Sequence, residues 1–106
     1  MTRIAVIGDY KSPKYKDLLT LVKSLQPDEF VIDMSRHSKD KTGSWKKEVD
    51  ARYNDIDSAH LVVVAADWND HLDAKVDLHQ AQHLHKELML ECNGQIIPFR
   101  QNAYVG

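Results

Sequence analysis

A chain of 106 residues can build one hydrophobic core but not two. Its 42% hydrophobic and 28% charged content are ordinary for a globular domain, and a formal net charge of -2 supplies no basic field to grip a nucleic-acid polymer. No apolar run approaches the roughly 20 residues of a membrane span, and the lone Cys92 excludes an intramolecular disulfide and fits a reducing compartment. The expectation is a cytoplasmic protein that works away from membranes. The start MTRIAVIG reads as a strand rather than a signal peptide, because its apolar run is too short.

Arg3–Ile7 is a continuous apolar run that predicts a strand buried on both faces, followed at once by Gly8, Asp9 and Tyr10. Ser12-Pro13 is a helix start, with serine as N-cap and proline in the first turn. Tyr15, Leu18, Leu19, Val22 and Leu25 recur at helical spacing until Pro27 closes the helix. Glu29–Met34 predicts a second strand, interrupted by Asp33. Residues 35–43 (SRHSKDKTG) carry no apolar side chain and read as a solvated loop or as a mobile, partly basic flap over the strand ends. Ser44 can cap a second helix whose Trp45, Val49, Tyr53 and Ile56 form its apolar stripe.

Leu61–Ala66 predicts a third buried strand, followed by the acidic loop Asp67, Trp68, Asn69 and Asp70. A third helix follows, with Asp73 as its expected N-cap. From Asp77, steps of four, seven and eleven residues reach Ala81, Leu84 and Leu88, so Asp77 begins the apolar line. Gly94, helped by Asn93, reads as this helix's C-terminal stop. Gln95–Phe99 is then a fourth strand whose Pro98 argues against full pairing, and Ala103–Val105 a short fifth at an edge.

Alternation of strands and helices with short links predicts an α/β fold, a flavodoxin-like open parallel sheet of order 2-1-3-4(-5) with helices on both faces. Ligands of such sheets bind beyond the carboxyl ends of the strands, where the strand order reverses. Here that switch point lies between the first and third strands, marked by Gly8-Asp9-Tyr10 and by Asp67 to Asp70. The terminal helix of larger flavodoxin-like domains is absent. One sheet face is therefore expected to be undercovered, which favours a homo-oligomer.

Asp67, Asp70, Asp73 and Asp77 place four carboxylates within eleven residues. Each has a structural use as loop residue, cap or partner of the helix dipole. As a group they can push one another's pKa values apart and supply an acid and a nucleophile for substitution at an anomeric carbon. Mg²⁺ binding is the competing use of an oxygen-rich acidic loop. Gly8 either serves the turn or lets a ligand approach the backbone, and Tyr10 can stack on a base or bond a sugar. Neither G-x-G-x-x-G nor a Walker loop is present, so no nucleotide cofactor is expected. His79 and His83 have the i, i+4 spacing of a zinc pair but fall on the face turned from the core, so no metal is expected there. Cys92 reads as an inert residue.

The N-terminal strand ending in glycine, Arg52 leading into Asp57-Ser58-Ala59-His60, and the apolar third strand together resemble the nucleoside 2-deoxyribosyltransferase-like superfamily. That superfamily includes the 2'-deoxynucleoside 5'-phosphate N-hydrolases. Asp77-Leu78-His79-Gln80-Ala81 stands where the family carries E-x-G-x-A on a helix. The resemblance implies a nucleoside or nucleotide ligand and chemistry at C1', with Asp77 in place of the nucleophilic glutamate and Asp70 or Asp67 as the acidic partner. Gly8, Asp9, Tyr10, Trp68 and Asn69 would then contact the substrate, Tyr10 being the counterpart of the family's N-terminal tyrosine. Two departures stand out: aspartate is one methylene shorter than glutamate, and His79 replaces a glycine. They keep open a non-catalytic sensor or assembly subunit of the same fold. A phosphoacceptor receiver domain, with Asp67 as acceptor, is a third reading, weakened by the lack of a lysine after the fourth strand.

Overall fold

Ile4, Ala5, Val6 and Ile7 are all buried, and for that reason the strand β1, Arg3–Ile7, carries no polar alternation. The structure, a computed structural model, describes residues 2–39 and 44–99. Helix α1 spans Pro13–Leu25 and starts as its sequence dictates: Ser12 Oγ accepts from the Lys14 N–H, and Pro13 fills the first position. The strand β2 is confined to Phe30–Ile32, shorter than predicted. Asp33 leaves the ladder to accept from the Ser35 N–H at 2.9 Å, and Met34–Lys39 winds into a 3-10 helix. Positions 40–43 of the expected loop or flap lie outside the described residues.

Helix α2 spans Trp45–Ser58, capped by Ser44 as predicted, and the strand β3 is Leu61–Val64. A 3-10 turn, Trp68–Asp70, leads into helix α3, Leu72–His83. The expected N-cap role of Asp73 is not what forms. His71 holds the cap position without a side-chain bond, and Asp73 lies in the first turn.

The larger correction concerns residues 84–94. The predicted third helix ends at His83, not at Gly94. His85 adopts φ 57°, its N–H donates to Gln82 O at 3.0 Å, and the Lys86 N–H donates to Ala81 O at 3.1 Å. This paired closure satisfies the last helical carbonyls and turns the chain out of the helix. Glu87–Cys92 then forms β4 and Gln95–Pro98 forms β5. Asn93 (φ 51°) and Gly94 (φ 82°) make the turn between them, the left-handed pair that a two-residue hairpin requires. Ala103–Val105, the predicted fifth strand, lies outside the described residues, and the fifth strand of the sheet is the predicted fourth.

The sheet order is β2-β1-β3-β4-β5, the flavodoxin-like order expected, with β5 antiparallel and the other pairs parallel. α2 packs against α3, and the right-handed crossovers that parallel strands favour put α1 on the opposite face of the sheet. On the α1 face, Val22 and Leu25 meet Leu61, Met89 and Ile96 around an open apolar groove of about 170 Å³. Leu25 at its rim remains 49% exposed. No helix among the described residues is long and apolar enough to cross a membrane.

Candidate functional site

The carboxyl ends of β1 and β3 are drawn together by Gly8. A Cβ there would stand 3.2 Å from both Ala65 Cβ and Tyr15 Cδ1, so glycine is what lets β1, β3 and α1 meet this closely. Tyr15 secures the junction from below. Its hydroxyl donates to Val6 O at 2.7 Å and accepts from the Met34 N–H at 3.1 Å. The chain then turns so that Tyr10 is buried, its ring edge-on to Tyr15 with centroids 5.0 Å apart.

Beneath this turn lies a charged group that the core encloses. Asp77 on α3 and Arg52 on α2 are both 0% exposed. Asp77 Oδ2 accepts from the Tyr10 hydroxyl at 2.5 Å and from Arg52 Nε at 2.7 Å. The Arg52 guanidinium also stands over the Tyr10 ring, 4.9 Å from its centroid. Among the described residues, Asp77 Oδ1 and Arg52 Nη1 and Nη2 have no hydrogen-bond partner. Arg52 Nη2 lies 3.6 Å from Asp73 Oδ1, a charge contact rather than a hydrogen bond. Asp73 is in turn held by the Trp45 indole, whose N–H donates to the same oxygen at 2.7 Å.

Two corrections to the predicted stripe of α2 follow. Val49, Arg52 and Ile56 are its buried residues, while Tyr53 is half-buried and Trp45 is 51% exposed. Trp45 serves the polar latch, not the core. Arg52 was legible only as part of a family pattern, because an arginine within an amphipathic stripe reads as surface. The available signal was its i, i+3, i+4 relation to Val49 and Ile56 together with the aspartate on the apolar line of α3.

Burial pushes the Asp77 carboxyl up to about 6, against the Tyr10 hydrogen bond and the Arg52 charge, which both favour the ion. Burial and the neighbouring Asp77 charge raise Tyr10 well above a free phenol, so Tyr10 stays a donor. At neutral pH the group is a carboxylate with one oxygen accepting two hydrogen bonds and the other unengaged. Such an oxygen is a lone pair held in a low-dielectric setting, suited to hold or attack an electron-poor carbon.

Two clefts open above it. One, of about 220 Å³, has Gly8, Asp9, Lys14, Ala65, Asp67 and Glu91 on its walls. The other, of about 230 Å³, has Asp9, Tyr10, Lys11, Asp70, His71 and Asp73. His71 stands between them, with Nδ1 3.7 Å from Asp9 Oδ2 and Nε2 3.4 Å from Asp67 Oδ2. The predicted residues thus separate. Gly8, Asp9, Tyr10, Asp67 and Asp70 gather at the switch point, whereas Asp77 lies behind the wall and lines neither cleft. Trp68 is half-buried with its ring 6.1 Å from that of Phe99, Asn69 is exposed, and neither lines a cleft. His79 and His83 are exposed, so His79 does not crowd Asp77. No group of three or more metal-binding side chains occurs among the described residues. No protein-family model, curated protein or solved structure matches the chain.

Proposed function

We propose that this protein binds a nucleoside or nucleotide at the crevice beyond β1 and β3, as a divergent member of the nucleoside deoxyribosyltransferase-like superfamily, and acts at C1'. The observation that carries the reading is the buried Asp77 carboxylate holding the Tyr10 hydroxyl and the Arg52 guanidinium on one oxygen, directly under the switch point. The pairing of an N-terminal tyrosine with the helix carboxylate is the relation the resemblance implies. In the reaction, the bond from C1' to the base nitrogen breaks as a bond from C1' to an Asp77 oxygen forms. The base leaves with a proton from Asp67 or Asp70 at the rim, and water or a second base then displaces the carboxylate. Contact with C1' requires the Trp45–Asp73 latch over Arg52 to swing aside.

The enclosure of Asp77 favours a second reading, a binding protein of this fold without turnover. One experiment separates them. The protein is incubated with deoxynucleosides and deoxynucleotides, free base is assayed by chromatography, and melting temperature is followed alongside. Base release that disappears in Asp77→Asn, and in the charge-neutral pair Arg52→Gln with Asp77→Asn, supports the glycosidase. Raised melting temperature without release supports the binder. Neither signal refutes both. We further propose that a second copy of the chain covers the open α1 face and that the homo-oligomer works in the cytoplasm.

A further inference from the structure

The walls of the crevice carry an uneven charge. Asp9, Asp67 and Glu91 face Lys14 in one cleft, and Asp9, Asp70 and Asp73 face Lys11 in the other. Among the described residues, five carboxylates therefore stand against two lysines, with His71 set between Asp9 and Asp67. No arginine among the described residues lines either cleft, and the guanidinium of Arg52 is committed beneath the wall to Asp77.

The backbone amides from Lys11 to Tyr15, at the start of α1, are also engaged. Asp9 Oδ1 accepts from the Lys11 N–H at 3.2 Å, and Asp9 O accepts from the Ser12 N–H at 3.0 Å. Pro13 has no N–H. Ser12 Oγ takes the Lys14 N–H at 3.2 Å and Ser12 O takes the Tyr15 N–H at 3.1 Å. The start of α1, which elsewhere offers donors and a positive dipole end to an anion, here has its own carboxylate folded over it.

We infer that Asp9 is a specificity residue that excludes phosphate, and that the ligand of this crevice is a nucleoside without a 5'-phosphate, neutral or cationic. This deepens the reading of the same site given above and rests on it. A phosphate dianion would enter a field in which the described carboxylates outnumber the lysines by three and would find the amides at the start of α1 already engaged, whereas sugar hydroxyls and base N–H groups find acceptors on Asp9, Asp70 and Asp73.

The four deoxynucleosides and their 5'-monophosphates are titrated calorimetrically into the wild type and into Asp9→Asn, which keeps an acceptor for the Lys11 N–H but removes the charge. The expected result is a nucleoside that binds at least about tenfold tighter than its own monophosphate, with a gap that narrows in Asp9→Asn and in high salt. A monophosphate that binds as well as or better than its nucleoside overturns this inference and leaves the proposed function standing. So does a gap unchanged in Asp9→Asn, because the exclusion then does not come from Asp9. Binding of none of the eight compounds overturns both.

Discussion

Burial and charge pull Asp77 in opposite directions, and burial prevails by lifting its carboxyl to about 6. In the unfolded chain the same group titrates near about 3.9. Between roughly pH 4 and pH 6 the folded state therefore binds the extra proton, so this group's contribution to stability falls as pH rises through that window and is level above it. Urea melts at pH 4, 5, 6 and 7 should show the wild type losing on the order of 2–3 kcal/mol relative to the Arg52→Gln, Asp77→Asn pair. Arg52 offers a second test. Arg52→Met strands a buried carboxylate and is expected to cost about 3–5 kcal/mol, while adding Asp77→Leu recovers most of that loss. Chemical denaturation of the single and double variants checks it, and equal instability of both would remove the pair from the account of the core.

At the level of elements, local chemistry and tertiary context divide the credit. β1 and the caps of α1 and α2 were readable because Ser12, Pro13 and Ser44 act on backbone atoms a few residues away. The end of α3 was not, for a physical reason. Leu88 lies eleven residues after Asp77, three helical turns, so it extends the apolar line by coincidence, although Leu88 and Leu90 also alternate as a strand requires. The Asn93-Gly94 pair between apolar runs is a hairpin signal, but the same two residues also serve as a helix stop, and sequence alone does not separate the two uses. Gly94→Ala places a Cβ at φ 82° and is expected to cost about 1 kcal/mol by chemical denaturation, although nothing lies within 4 Å of that position. Of the site, the switch-point residues were legible from strand order alone. The enclosure of Asp77 was not, because it depends on Arg52 arriving from another helix.

Across the molecule, α1 is the helix that the described residues place on this face of the five-stranded sheet, and it leaves a groove among Leu25, Leu61, Met89 and Ile96. If a second copy covers it, Leu25→Glu at the exposed rim should convert the sedimenting species to a monomer with little loss of melting temperature. A wild type that sediments as a monomer at every concentration refutes the assembly. The antiparallel ribbon of β4 and β5 bears on how this sheet arises in time. Neighbouring strands joined by a tight turn close within microseconds (about 1–10), whereas each parallel partner must wait for an intervening helix to be threaded back. A ribbon made early gives β3 a finished edge to dock on, so weakening its turn at Gly94 should slow refolding more than it hastens unfolding.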